Sequence, residues 1–325
     1  MKPSPRPACS DCDVSRRDFL RAAGGVAAAA AAGPLLGRVA QAAPSMKSGA
    51  ETAAAELYQS LSEEQRKQIC FPFDHELRRR INANWHITKQ KLESSFYTKA
   101  QQDLAKDIVK KVLSEDGYQK CLKQTEYDDG GIGAYSMALF GTPESGKFQW
   151  TLTGRHLTLR ADGDSVDKAA FGGPLVYGHG EEDYRHNLYK YQTDATNEVF
   201  KALDADQAKK ALLSNAPNET AVDLQGAKGK FPGIEIGELK SDQQELVSKT
   251  LKTLLAPYRA EDTDEVMELV KADGGVGKLH MAFYQTGDLG QDKVWDIWRV
   301  EGPSFVWHFR GAPHVHAYIN IAAKG

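Results

Sequence analysis

The chain has 325 residues, a formal net charge of −3, and 41% hydrophobic against 26% charged residues. That length suits one large domain or two of ordinary size. The mixed charges read as an ordinary solvated surface, and no basic cluster is large enough to serve as an electrostatic footprint for nucleic acid.

The N-terminus carries the first functional signal. Ser15-Arg16-Arg17-Asp18-Phe19-Leu20 resembles a twin-arginine export signal. An apolar run from Ala22 to Leu36 follows, then the small-residue cleavage pattern Ala40-Gln41-Ala42. The resemblance implies a bacterial protein that folds first and is then carried to the periplasm or secreted by the twin-arginine machinery. Proteins on that route often fold around a metal or cofactor. The run is too short and too rich in Ala and Gly to span about 20 residues of bilayer core, so no membrane anchor is expected after cleavage of residues 1–42. Cys9 and Cys12 leave with the signal. Cys70 and Cys121 remain, either as a disulfide, which an oxidising compartment permits, or as two separate thiols.

The remaining sequence repeats itself. Leu61-Ser62-Glu63-Glu64-Gln65 corresponds to Leu203-Asp204-Ala205-Asp206-Gln207, and Gln101-Gln102-Asp103-Leu104 to Gln243-Gln244-Glu245-Leu246. Asp129-Gly130-Gly131-Ile132-Gly133 corresponds to Asp273-Gly274-Gly275-Val276-Gly277, and Trp150 with Gly154 to Trp298 with Gly302. Four blocks in one order at a nearly constant spacing indicate two related copies, residues 43–195 and 196–325. Each is expected to open with a helix (Ala53–Gln68; Thr196–Leu213). An amphipathic helix follows (Ala100–Leu113; Asp242–Leu255), with apolar positions at helical spacing. The glycine block then turns the chain. Alternating strands come next: Tyr135–Phe140 with Phe148–Leu159, and Leu279–Tyr284 with Val294–Phe309. Gly154 and Gly302 inside those patterns suggest bulges or close backbone approach. Gly-Gly-x-Gly lacks the Lys-Ser/Thr of a phosphate loop and precedes a strand, so a structural turn is expected. The fold class is α+β: two tandem copies, each of amphipathic helices followed by antiparallel strands, packed with pseudo-twofold symmetry as one unit. A shared site is expected between the copies.

The nine histidines are where the copies differ. His314-Val315-His316 places two imidazoles on one face of a strand, their backbones roughly 7 Å apart, a spacing that suits one metal ion. Two partly buried histidines bonded to carbonyls are the alternative. His308 lies across the turn Arg310-Gly311-Ala312-Pro313. A hairpin pairing Phe309 with His314 turns His308 away from the pair, and a shift of one residue brings it back. His156 shares a strand face with Leu152 and Thr158, and Ser304 occupies its position in the second copy. His179 opens an acidic run that ends at His186, either a carboxylate–imidazole loop or an ordinary acidic surface. Arg155, Arg299 and Arg310 flank these strands and suit a carboxylate or phosphate through a bidentate fork, or pair with surface acids. Trp295, Trp298 and Trp307 read as core.

Several blocks resemble domain of unknown function 3500, a bacterial and often exported family. They are Phe71-Pro72-Phe73-Asp74, Phe140-Gly141-Thr142-Pro143, Gly154-Arg155-His156-Leu157-Thr158-Leu159, Val300-Glu301-Gly302-Pro303-Ser304-Phe305 and His314-Val315-His316. The resemblance implies that His156, His314 and His316 belong to one site, because the family carries a His-x-Leu-x-Leu strand and a paired histidine near its C-terminus. The resulting expectation is an exported metalloprotein. His156, His314 and His316 are the ligands, His179 or His308 completes the shell, and Arg155 or Arg310 orients a small anionic substrate. Zinc, copper and iron all suit imidazole ligands. Zinc points to hydrolysis, copper or iron to oxidoreductase chemistry. A metal-free periplasmic protein binding a small molecule or glycan through Trp and Arg is the rival from another class, and a structural domain without a ligand is a third reading.

Overall fold

The computed structural model describes residues 43–163 and 168–323. The expected signal segment, with Cys9 and Cys12, lies outside the described residues. Two helices open the described chain, α1 (Gly49–Ser60) and α2 (Glu63–Ile69), followed by the short strand β1 (Cys70–Phe71). After a long connector come α3 (Lys99–Val112) and α4 (Glu115–Asp129), then strands β2 (Ser136–Thr142), β3 (Lys147–Gly154), β4 (Leu157–Ala161) and β5 (Leu175–His179). The second half runs α5 (Lys190–Lys201), α6 (Ala205–Ala211), β6 (Leu212–Leu213), β7 (Ile234–Glu235), α7 (Ser241–Leu255) and α8 (Ala260–Ala272). It closes with β8 (His280–Tyr284), β9 (Ile297–Gly302), β10 (Phe305–Arg310) and β11 (Val315–Ile321).

Each expected opening helix is in fact two. At Ser62 and Asp204 the side chain accepts from the backbone N–H three residues on, and Gln65 and Gln207 return the bond to the cap N–H. Such a reciprocal cap starts a new helix and stops the preceding one from running through. The expected long strands are also divided. The first breaks at Arg155-His156 and the second at Pro303-Ser304, each becoming a tight hairpin. Gly130 and Gly131 (φ 73° and 116°), like Gly274 and Gly275 (φ 101° and 90°), turn the chain before β2 and β8, as expected of a structural glycine block. Helices α4 and α8 were not expected: their apolar positions are too few to stand out from the polar sequence around them.

The strands form one mixed sheet in the order β1-β2-β3-β4-β5-β11-β10-β9-β8-β6, with β7 pairing to β8 off this path. β1–β2 and β6–β8 are parallel and the other pairs antiparallel. Strand alternation divides the sheet into two unlike faces. One face presents Leu139, Trp150, Leu152, Leu159, Ile319, Trp307, Phe309 and Trp298 to the helices, and this is the main apolar core. Trp298 and Trp307 are fully buried there, as expected. The other face is covered by the connectors, residues 72–97 and 214–233, and is polar although buried. It carries Gln149, Thr151, Thr153, Thr158, Arg160, Arg299, Glu301 and His308. Smaller apolar clusters tie the connectors down, such as Trp85 and Ile87 against Ala138 and Phe140. Cys70 and Cys121 are free thiols, not a disulfide, and burial pushes both up to about 12.

Candidate metal centre

The central seam of the sheet is the antiparallel pair β5–β11, with Val315 opposite His179 and His316 opposite Gly178. His314 immediately precedes β11. His314 and His316 therefore reach the same side, and their Nε2 atoms lie 3.1 Å apart. His156 arrives from the β3–β4 turn. Its φ of 55° places it in the left-handed region, which costs an ordinary residue about 1–2 kcal/mol. That conformation breaks the strand alternation: Leu152 lies on the helix side of the sheet, whereas the His156 ring meets His316 on the connector side, the side of Thr158. Its N–H donates to the Ala83 carbonyl at 2.5 Å, which anchors the turn to the connector. A Cβ at Gly178 would lie 3.1 Å from the His156 Cβ and 2.3 Å from the Val315 carbonyl oxygen. Only glycine leaves room there for the ring.

The three imidazoles form a nearly equilateral set. Ring centroids are 5.1 Å apart for His156–His314, 4.8 Å for His156–His316 and 4.9 Å for His314–His316. One nitrogen from each lies within 4.8 Å of the others. Two carboxylates stand behind them. Asp128, at the end of α4, has Oδ2 2.9 Å from His156 Nδ1, and its Oδ1 accepts the Gly180 N–H at 2.9 Å. Glu219, in the second connector, has Oε1 3.1 Å from His316 Nδ1 and accepts from the Tyr318 hydroxyl at 3.1 Å. Arg310 lies opposite His316 across β10–β11, with its Nε 3.1 Å from Glu219 Oε2. Carboxylates behind Nδ1 fix the ring proton there and leave Nε2 with its lone pair, the arrangement of metal-ligating histidines. His314 has no such support: its Nδ1 is buried without a hydrogen-bond partner among the described residues.

Electrostatics favour neutral rings at His314 and His316. Burial, then the charges of His316, His156, Arg310 and Arg155, push His314 down to about 4. Burial also lowers His316, against the upward pull of Glu219. Burial would raise Glu219, but the hydrogen bond from His316 and the charge of Arg310 bring it down to about 2. A neutral imidazole backed by an ionised carboxylate is ready to bind a cation without first losing a proton.

The other expected site residues fall elsewhere. The β10–β11 register pairs Phe309 with Ala317 and Arg310 with His316, not Phe309 with His314, because residues 311–314 form a longer turn. That register puts His308 on the face of His316, opposite Tyr318, yet outside the triad. Burial and the Arg299 charge push it down to about 3. His179, opposite Val315, points to the helix side, where its Nδ1 accepts the Leu188 N–H at 3.2 Å and Tyr127 packs edge-on. Arg155 adjoins His156 in its turn, and its carbonyl accepts from the Tyr135 hydroxyl at 2.6 Å. Sequence reasoning missed Asp128 and Glu219. Asp128 stands one residue before the quoted glycine block, a weak cue, and Glu219 lies in a connector with no cue at all.

The family model described as "Protein of unknown function (DUF3500)" matches residues 44–320, and the model of the twin-arginine translocation pathway signal sequence matches residues 13–33. The chain belongs to that family of unknown function. Its signal directs it through the twin-arginine machinery to the periplasm or to secretion. Among the described residues, no helix is long and apolar enough to cross a membrane. No curated protein and no solved structure matches the chain.

Proposed function

We propose that the exported protein is a metalloprotein in which His156, His314 and His316 hold one transition-metal ion, and that this centre hydrolyses a small anionic substrate. The carrying observation is the convergence of three imidazoles, two of them backed at Nδ1 by Asp128 and Glu219. The donor set fits such an ion: three imidazole nitrogens, no thiolate, and carboxylates in the orienting shell rather than among the ligands. A three-imidazole ion with an open position supplies Lewis acidity and a water acidified enough to act near neutral pH. The chain's own residues do the rest. Asp128 and Glu219 hold the ring protons on Nδ1. Arg310, tied to Glu219 and facing His316, and Arg155, beside His156, set positive charge at the centre's rim, where an anionic group docks. Zinc suits this chemistry, and the same ligands also accept copper or iron.

The reading includes two related α+β halves, residues 43–195 and 196–325. Its support is the mirrored strand order about β5–β11 and the matched glutamine pairs, Gln65 Nε2 to Gln101 Oε1 at 2.9 Å and Gln207 Nε2 to Gln243 Oε1 at 3.0 Å. The ligands then come from both halves.

The test is metal analysis of the mature protein, exported natively and purified without an affinity tag, beside a His314→Ala/His316→Ala variant. About one equivalent of a single transition metal, lost in a variant that still unfolds cooperatively, is the expected result. A wild-type protein that stays metal-free through reconstitution with zinc, copper and iron overturns the proposal. Chromogenic carboxylic and phosphoric esters then test hydrolysis on the loaded protein.

A further inference from the structure

The connector-covered face holds an open hollow toward the β8 edge. It is a cavity of about 470 Å³, walled by Leu213, Tyr284, Arg299 and Glu301 from the strands and by Ala216, Pro217 and Pro232 from the connector. None of these residues belongs to the histidine triad. Tyr284 is 1% exposed, and its hydroxyl is buried without a hydrogen-bond partner among the described residues. Arg299 is also buried. One Nη donates to the Ala221 carbonyl, whereas Nε stands 3.6 Å from Glu301 Oε2 and makes no hydrogen bond. Glu301 is itself engaged by Gln225 Nε2 at 2.9 Å. Buried donors are normally satisfied, because an unmet one has lost its water and gained nothing. A phenol and a guanidinium left short of partners in one cavity mark a place shaped for an acceptor that arrives from outside.

The opposite end of the sheet shows that the hollow is particular to this half. There Ala138 pairs with Thr151 and Phe140 with Gln149, while β8–β9 pairs Ala282 with Arg299 and Tyr284 with Ile297. Over β2–β3 the connector drops Trp85 and Ile87 onto Phe140, with Phe73 and Leu77 beside them, and fills the layer. Over β8–β9 the layer beside Tyr284 is Leu213 of β6 and the small Ala216 of the connector, and the connector's Phe231 ring sits further along β8, against His280. Where the one end is filled by large apolar rings, the other leaves an open volume beside Tyr284 and Arg299.

We propose that this cavity binds a small carboxylate with a short apolar tail. The carboxylate takes the Tyr284 O–H and an Arg299 N–H, and the tail lies along Leu213, Ala216 and the two prolines. Both donors suit an ionised oxygen acceptor, and the guanidinium fork matches its geometry. Asp223, exposed at the mouth, is placed to receive an ammonium group, so a simple carboxylate and an α-amino acid share the anchor and differ at Asp223.

Calorimetric titration of the mature protein, stripped with EDTA so that no metal competes for carboxylates, tests this with hexanoate and with norleucine, its 2-amino counterpart. Saturable one-to-one binding of at least one probe is expected. Tyr284→Phe, which removes a hydroxyl that supports no internal bond, should weaken it roughly tenfold. Ala216→Phe should abolish it with the unfolding transition retained. Asp223→Asn weakening norleucine alone identifies an amino-acid site, and equal behaviour of both probes identifies a simple carboxylate site. The proposal is overturned if neither probe binds, or if binding is unchanged in both Tyr284→Phe and Ala216→Phe.

Discussion

Asp128→Asn is the substitution that most directly probes how the triad is held. The carboxylate meets three donors, His156 Nδ1 and Gln124 Nε2 at Oδ2 and the Gly180 N–H at Oδ1, each at 2.9 Å. Burial alone would raise this acid; the hydrogen bonds from His156, Gln124 and Gly180 hold it below the ordinary aspartate value. An asparagine of the same shape keeps one acceptor. If its oxygen stays with Gly180, its NH2 faces two donors, and His156 is relieved only by moving its proton to Nε2, the atom needed for the ion. If the amide flips, the bond to Gly180 is lost instead. Either way one hydrogen bond to a charged group disappears, worth about 1.5–3 kcal/mol. Orienting carboxylates behind ligating histidines typically account for about 10–100-fold in metal affinity. Competition with a fluorescent zinc chelator at pH 7, alongside urea unfolding, reads both effects. Zinc affinity 10–100-fold weaker in a cooperatively folded Asp128→Asn protein is expected. A folded variant that binds zinc within about twofold of wild type would refute the claim that Asp128 sets the His156 tautomer.

Three further predictions concern the scaffold. Gly154→Ala puts a Cβ 2.1 Å from the Tyr135 ring, which cannot retreat because its hydroxyl is bonded to the Arg155 carbonyl at 2.6 Å. A loss of about 1–3 kcal/mol in urea unfolding is expected, and a neutral effect would show that the β3 end moves freely. Arg259→Met removes the cation that bonds Glu51 at 2.8 and 3.0 Å and Asp262 at 2.8 Å, both acids buried. Two uncompensated acids then remain, so stability should fall by about 3–5 kcal/mol, and the further change Glu51→Gln should recover part of that loss. Asp296, buried and bonded to the Leu289 N–H at 2.8 Å, is pushed up to about 6 by burial. Its folded value lies above the unfolded value near 4, so the folded state holds more protons between them, and unfolding free energy falls as pH rises through that window. Asp296→Asn should remove on the order of 2 kcal/mol of the difference between pH 4.5 and pH 7 in urea titrations, and an unchanged difference would rule Asp296 out as its source.

Periodicity made α3 and α7 legible to within a residue, because each buries a stripe that repeats at helical spacing, such as Ile108, Val109 and Val112. It failed at Ser62 and Asp204, where the polar caps that end one helix and start the next lie inside an otherwise continuous helical pattern. It failed again on the connector-covered face of the sheet. Those positions are buried yet polar, so alternation alone does not show that both faces of β3 and β9 are covered. The alternation rule is local, whereas the reason Thr151, Thr153 and Arg299 are buried is a connector far away in sequence.

The site divides in the same way. His314 and His316 were legible because a strand alternates faces whatever packs against it. His156 was placed by its family block, not by geometry, and its left-handed turn is invisible to a strand pattern. Asp128 and Glu219 arrive from a helix end and a connector, and their role exists only through contacts across the fold. His308 shows how finely register decides. The observed pairing of Arg310 with His316 puts His308 on the triad's face but one alternation further along the strand, where Tyr318 is its partner. A turn shorter by two residues would set His308 opposite His316 instead of Arg310, replacing the arginine that pairs with Glu219 by a fourth imidazole. The length of the β10–β11 turn therefore decides whether the histidine triad has a cation at its rim or a fourth imidazole, and this chain has the cation.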